Sequence, residues 1–310
     1  MVVASRTALV VALALAGALG AVAPAAADDL PAVKSHSACV IDAETGAEIY
    51  AKDADEVRAI ASTTKIFVAM AVRKHDLDLD GWTAISRTDV KAGKGGSRTR
   101  LDLGETFRNR DLLRAMLMAS DNRAPTALAR AAGMEPDDLV KAMNVIAKDL
   151  KLKRTKFTDP NGLRGNVSTA REMAIALREA LADPVLREIM GTTFEVVTSK
   201  DGSAKIAYGT TNQVLVSKKY DVIGGKTGFT KPAGYCFITG ARFEKREVMM
   251  AFLGADEKGT RFGDFNRVAT WLEAGAPGSK VSLKRPARAR EKLDVDAHGR
   301  VETADVTSTK

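Results

Sequence analysis

The chain has 310 residues, 45% of them hydrophobic and only 5% aromatic, with a formal net charge of +8. Without a leader it is long enough for one sizeable core. The excess of cations suits an anionic surface such as a cell wall or lipid head groups, and the scarcity of aromatics argues against nucleic acid as a partner.

The first residues, Met1-Val2-Val3-Ala4-Ser5-Arg6, lead into an uncharged Ala/Leu/Val run that exits through Ala25-Ala26-Ala27 before Asp28-Asp29. A basic start, an apolar centre and a small-residue exit describe a secretory signal peptide over 1–27. An uncleaved anchor fits less well, because Gly17, Gly20 and Pro24 interrupt the run. The expectation is an exported protein, periplasmic or wall-associated, with no stable membrane insertion after cleavage. The body is expected over 28–275, followed by a charged, disordered tail over 276–310.

Residues 38–42 and 48–51 flank Ala43-Glu44-Thr45-Gly46 and predict a β-hairpin. Ala61-Ser62-Thr63-Thr64-Lys65 then opens an apolar run that reads as a buried helix ending near Lys74-His75. On a helix, positions three apart share a face, so Lys65 can reach the Ser62 hydroxyl. A lysine desolvated by apolar neighbours, or set near another cation, can lose its proton and activate a serine. Trp82 to Ser86 reads as a short strand, and the glycines of 91–98 predict a substrate-facing loop. A phosphate cradle is the alternative there, but the G-K-[ST] ending is missing.

A helix is predicted over Thr106 to Met118, ended by Ser120-Asp121-Asn122, with Pro125 opening the next helix, Thr126 to Ala132. Asp137 to Lys148 gives another, with Leu139, Met143, Val145 and Ile146 as its apolar face. Thr158 to Leu163 is dense turn chemistry, and Ser168 is the expected N-cap of a helix over Ala170 to Ala182. From Thr192 the pattern alternates: 194–198, 220–223, 234–239 and 247–253 read as strands, the last three forming an antiparallel sheet. Lys226-Thr227-Gly228 follows Gly224-Gly225 and precedes a strand-like run, and an amphipathic helix over Thr260 to Ala274 closes the body. The two cysteines, Cys39 and Cys236, sit in strand-like runs and are expected as buried free thiols.

Serine with lysine, then S-D-N, then K-T-G, each present once and in this order, is the motif set of penicillin-binding proteins and serine β-lactamases. Together with Val40 to Gly46, Asp159-Pro160-Asn161-Gly162-Leu163, Ser168-Thr169-Ala170 and Thr230 to Cys236, it makes the chain resemble the low-molecular-mass penicillin-binding proteins, the D-alanyl-D-alanine carboxypeptidase family of serine D,D-peptidases. The resemblance covers about Ser37 to Ala274. It implies an α/β (α+β) fold of the β-lactamase/transpeptidase-like type, with an antiparallel sheet flanked by helices plus a helical subdomain.

The same resemblance implies Ser62 as the acylated nucleophile and Lys65 as its base, with Ser120 relaying a proton to the leaving amine and Asn122 holding Lys65 and the substrate amide. Lys226, Thr227, Gly228 and Phe229 become the substrate-binding strand, and the N–H groups of Ser62 and Phe229 an oxyanion hole. Peptidoglycan stem peptides are the implied substrates and β-lactam antibiotics the covalent inhibitors, with no metal or cofactor needed. His36, His75 and His298 lie far from every motif, which argues against a Ser-His-Asp triad.

Two departures from the carboxypeptidase pattern stand out. Asp121 occupies a position that is often glycine, and Thr211 precedes Asn212 where carboxypeptidases often place an arginine. Both features point to the D,D-endopeptidase branch, which cuts the D-alanyl to diamino-acid cross-link. The carboxypeptidase remains the first alternative and a non-catalytic muropeptide-binding scaffold another. A β-lactamase is disfavoured because the region of its Glu-x-x-x-Asn segment reads Asp159-Pro160-Asn161-Gly162.

Overall fold

In the computed structural model of the protein, residues 30–97 and 99–279 are described. The expected signal peptide, Arg98 of the glycine loop, His298 and residues 280–310 of the expected tail lie outside them. In chain order the elements are β1 (Ser37–Asp42), β2 (Glu48–Lys52), β3 (Arg58–Ala59), α1 (Lys65–Lys74), β4 (Trp82–Ala84), α2 (Arg87–Ala92), β5 (Thr106–Arg108), α3 (Asn109–Ala119), α4 (Ala124–Ala131) and α5 (Pro136–Asp149). There follow β6 (Val167–Ser168), α6 (Ala170–Ala182), α7 (Pro184–Met190), β7 (Phe194–Thr198), β8 (Lys205–Gly209), α8 (Gln213–Ser217), β9 (Asp221–Thr230), β10 (Gly234–Phe243), β11 (Arg246–Ala255) and α9 (Thr260–Glu273).

The main sheet has the order β2-β1-β11-β10-β9, and every neighbouring pair is antiparallel. Chain ends therefore meet at its centre: the N-terminal hairpin lies beside the C-terminal meander through β1 and β11. Alternation sends Cys39 and Ile41 of β1 to one face and Ala38 and Val40 to the other. The first pair joins Ile238, Met249 and Ala251 in the core shared with α1, α3 and α6. The second joins Phe237, Met250 and Phe252 against Phe262, Phe265, Val268 and Trp271 of α9. Burial on both faces explains why β1 and most of β11 carry few polar side chains. Both cysteines are free and buried.

Several elements differ from the sequence reading. Thr106 to Arg108 is a strand paired with β4, and the helix expected from Thr106 begins only at Asn109. The loop over 91–98 begins two residues late, since Lys91 and Ala92 finish α2, a helix closed at its start by a Ser86–Asp89 capping box. Thr169, and not Ser168, caps α6 by accepting a hydrogen bond from Glu172 N, because Ser168 is held in β6 opposite Arg58. The strand expected over 220–223 runs on to Thr230 as β9, so Lys226-Thr227-Gly228 does not precede a strand but lies within this one, as do Gly224 and Gly225, paired with Gly240 and Thr239. Val145 of α5, expected on the apolar face, is 54% exposed. Beyond α9 the chain folds back: Ala276 is buried, Trp271 Nε1 donates to Pro277 O, and Ser279 Oγ donates to Ile49 O. No helix among the described residues is long and apolar enough to cross a membrane.

Candidate active site

Ser62 lies not on an α-helix but in a turn of 3-10 helix, Ala61–Thr64, that runs into α1. The tight turn still brings Lys65 Nζ to 3.0 Å from Ser62 Oγ, so the pairing expected from the i, i+3 spacing is present. Ala61 has φ of +47°, a strained value for a residue with a Cβ. The loop over 158–166 presses on it from below. A Cβ at Gly162, whose φ is +79°, would lie 1.9 Å from Ala61 O, so only glycine fits this contact.

Lys65 is fully buried among core residues of α1. Its ammonium donates to Ser62 Oγ, to Asn122 Oδ1 at 2.7 Å and to Asn161 O at 3.1 Å. Burial pushes its pKa down to about 7, against the charges of Asp159 and Asp121, which raise it. A lysine in this state can exchange a proton with the serine at neutral pH. Ser62 Oγ also donates to Asn161 O at 3.3 Å.

The S-D-N segment follows α3. Ser120 takes a left-handed conformation, φ +65°, which turns the chain and aims its hydroxyl at the site. The Asp121 carboxylate accepts from Arg100 N, Arg123 N and the Tyr208 hydroxyl. It thereby ties the chain just after the glycine loop, the N-cap of α4 and β8 together. Asn122 holds Lys65 with its oxygen and donates from Nδ2 to Ser97 Oγ at 3.4 Å. Ser97 thus joins the glycine loop to the S-D-N segment.

The third wall is β9, the outer strand of the sheet. Lys226 is buried and donates to Ser120 Oγ at 3.1 Å and to Thr227 O at 2.8 Å. Burial lowers its pKa well below the ordinary lysine value, and the charges of Lys65 and Arg261 push the same way. A Cβ at Gly228 would lie 2.9 Å from Ser62 N, so glycine lets the strand edge close on the turn that carries Ser62. Phe229 is half exposed and stacks on Tyr235 at 4.2 Å. Thr227 Oγ1 is 2.7 Å from Thr211 Oγ1, which in turn donates to Met118 O.

Hydrogen bonds thus join Ser62, Lys65 and Asn122, and Lys226 with Ser120, while Gly228 abuts Ser62 N and Thr227 and Phe229 flank it on β9. Two further residues take part that the motifs do not name. Asn161 contributes its backbone carbonyl, which no side-chain pattern encodes; only the turn-rich run around it is visible in sequence. Arg261, in the first turn of α9, is buried behind β9 and donates to Gly228 O at 2.7 Å and Cys236 O at 2.9 Å. Its signal was a lone arginine at the start of an apolar helix.

A family model described as D-alanyl-D-alanine carboxypeptidase matches residues 23–257. The chain is 31% identical over 265 residues to the D-alanyl-D-alanine endopeptidase of Escherichia coli, across 84% of this chain and 85% of that relative. It is 34% identical over 242 residues to the D-alanyl-D-alanine endopeptidase of Pseudomonas aeruginosa, across 78% of each. Among solved structures, a Streptomyces DD-transpeptidase matches with a TM-score of 0.73 at 26% identity, over 79% of this chain and 99% of that one.

Proposed function

The chain belongs to the D-alanyl-D-alanine carboxypeptidase family and is a serine D,D-peptidase; from that premise we propose that it is a D,D-endopeptidase, cutting the D-alanyl to diamino-acid bond that cross-links peptidoglycan stem peptides. The observation that carries the chemistry is the contact of Lys65 Nζ with Ser62 Oγ at 3.0 Å, made by a lysine whose pKa burial lowers to about 7.

In this reading neutral Lys65 takes the Ser62 proton as Oγ attacks the D-alanyl carbonyl carbon. The oxyanion forms against the N–H groups of Ser62 and Phe229, where electrostatic stabilisation has its largest effect. The C–N bond breaks, and the amine leaves with a proton passed through Ser120, whose hydroxyl Lys226 holds. Water then hydrolyses the ester on Ser62. Asn122 fixes Lys65 and receives the substrate amide, while the free edge of β9 at Thr227 pairs with the extended peptide. A β-lactam enters by the same route and leaves Ser62 acylated.

Thr211 supports the choice of bond. A carboxypeptidase has to recognise a free carboxylate beside the scissile bond, and bidentate pairing with a guanidinium is the strong way to do so. Here the Thr211 hydroxyl is engaged by Thr227 and Met118 O. The guanidinium of Arg261 is committed to two backbone carbonyls. Both relatives described above are endopeptidases by name. With purified protein, cross-linked muropeptide dimer is expected to be cleaved faster than D-alanine is released from pentapeptide. Efficient trimming of pentapeptide with intact dimer replaces the endopeptidase by the carboxypeptidase. Export to the periplasm or wall, through the leader over 1–27, completes the proposal; a processed form starting near Asp28 outside the cytoplasm is the expected finding.

A further inference from the structure

The loop over 158–166 carries no catalytic motif, yet it reaches the reacting groups. Asp159 organises it: Oδ1 accepts from Asn161 N at 2.8 Å and Leu163 N at 3.2 Å, and Oδ2 accepts from Arg164 N at 2.8 Å. Three backbone donors gathered by one carboxylate fix the turn. The turn in turn sets the Asn161 carbonyl, which receives both Lys65 Nζ and Ser62 Oγ. Asn166 locks the same loop to the nucleophile turn, donating from Nδ2 to Asp159 O at 2.8 Å and to Thr64 Oγ1 at 3.1 Å.

We propose that Asp159 is a positioning residue of the acylation step: it presses the Asn161 carbonyl onto the Ser62–Lys65 pair and places a negative charge beneath the buried lysine. A folding role alone accounts for the turn but not for its charge. A serine or asparagine can also nucleate such a turn, whereas only a carboxylate adds a counter-charge to a desolvated cation. The charged groups that face Lys65 are Asp159 from this loop, Asp121 from the end of α3 and Lys226 from β9. Burial is the leading influence on Lys65 and lowers its pKa; Asp159 is the first opposing charge and Asp121 the second. Lys65 acts as a cation on Lys226 and depresses it, whereas the charges acting on Lys65 are the two carboxylates. Removing the Asp159 charge leaves burial less opposed, so Lys65 should give up its proton at lower pH.

The inference rests on Lys65 being the base, and the test separates the two. Acylation of the mature protein by a fluorescent penicillin is followed from pH 5 to 9 in wild type, Asp159→Asn, Asp159→Ser, Asp201→Asn and Lys65→Arg, with melting curves to confirm folding. Asp201 is the control: it nucleates a surface turn with Ser199 and Ser203, outside the cleft. In Asp159→Asn and Asp159→Ser the acid limb of the rate profile should move to lower pH by about half a unit or more. The limb of Asp201→Asn should coincide with wild type. Asp159→Ser, with one short acceptor in place of two oxygens, should also lower the plateau by about tenfold, as the carbonyl loosens. Acid limbs unmoved in both Asp159 variants overturn the role of Asp159 even where the plateau falls. Wild-type rates in Lys65→Arg overturn the assignment of the base itself.

Discussion

Two lysines stand at the centre of this site, both buried, and their surroundings differ in acceptors and in the sign of the charges acting on them. Lys65 has three oxygen acceptors, and Asp159 and Asp121 act on it as negative charges. Lys226 has Ser120 Oγ and the Thr227 carbonyl, and the charges acting on it are cations, Lys65 and Arg261. Desolvation lowers both, but only on the Lys65 side do carboxylates stop the fall, near 7. The difference suits the unlike functions proposed for the two lysines. In the proposed mechanism Lys65 gains and loses a proton in each cycle, whereas among the described residues the charges acting on Lys226 are cations alone.

The strongest way to break this comparison is to remove proton exchange from the Lys65 side alone. Ser62→Ala should abolish penicillin labelling altogether. Lys65→Arg keeps a cation that cannot deprotonate, and acylation should fall by at least about 100-fold, the lower range of general-base catalysis. In wild type the free base of Lys65 is lost as pH falls below about 7. Acylation should therefore drop by up to about tenfold per pH unit below that point. A rate that stays level from pH 8 to pH 5 argues against a titrating base.

Next in size is a change that moves the two sides apart. Gly228→Ala puts a methyl group 2.9 Å from Ser62 N and 3.0 Å from Ala61 Cβ, so β9 has to withdraw from the nucleophile turn. Displacement on the order of an ångström costs roughly 100-fold in well-aligned reactions; acylation is expected to fall by about 10- to 100-fold while the melting temperature changes little. Unchanged acylation would mean that the strand edge does not contribute to the reacting geometry.

How much of this was legible beforehand follows from what each feature depends on. The roles proposed for Ser62, Lys65, Asn122 and Lys226 belong to side chains, so residue identity and order point to them; hydrogen bonds join Lys65 to Ser62 and Asn122, and Lys226 to Ser120. The hairpin of β1 and β2 and the meander of β9 to β11 were visible because turn residues punctuate apolar runs. Other features depend on partners far away in the chain. Thr106 to Arg108 reads as the start of a helix until β4 is known to lie beside it. β8 gives no apolar alternation strong enough to announce a strand, and it exists by pairing with β7. The Asn161 carbonyl belongs to the backbone, and its position comes from the carboxylate of Asp159 two residues earlier. Periodicity sees none of these.

The Lys226 side can be tested by linkage. Because burial and two cations depress Lys226, an anion bound at Thr227 should draw a proton onto it. Binding of an acyl-D-alanyl-D-alanine peptide to Ser62→Ala should then tighten as pH falls, by up to about tenfold per unit over the range between the free and bound pKa values. Calorimetry in two buffers of different ionisation enthalpy measures the proton directly. Uptake approaching one proton supports a neutral Lys226 in the free enzyme; zero uptake with pH-independent affinity shows that it was charged throughout.

The smallest expected effect concerns the neighbour of that strand. Thr211→Arg would place a permanent cation where a hydroxyl now bridges Thr227 and Met118 O. A terminal carboxylate would gain a bidentate partner, whose charge-assisted bonds carry roughly 1.5–3 kcal/mol each before competition from water. It would gain that partner next to a lysine that already suffers from nearby cations, so part of the benefit is returned as repulsion between the introduced guanidinium and Lys226. The net shift should be about threefold to tenfold in the ratio of pentapeptide trimming to dimer cleavage. It should come from tighter binding of pentapeptide, with the acylation rate constant for penicillin left within about twofold. A ratio that does not move while the variant folds and is acylated normally would show that selectivity is set elsewhere in the cleft, with the glycine loop over Ser97 and Asn122 the next place to test.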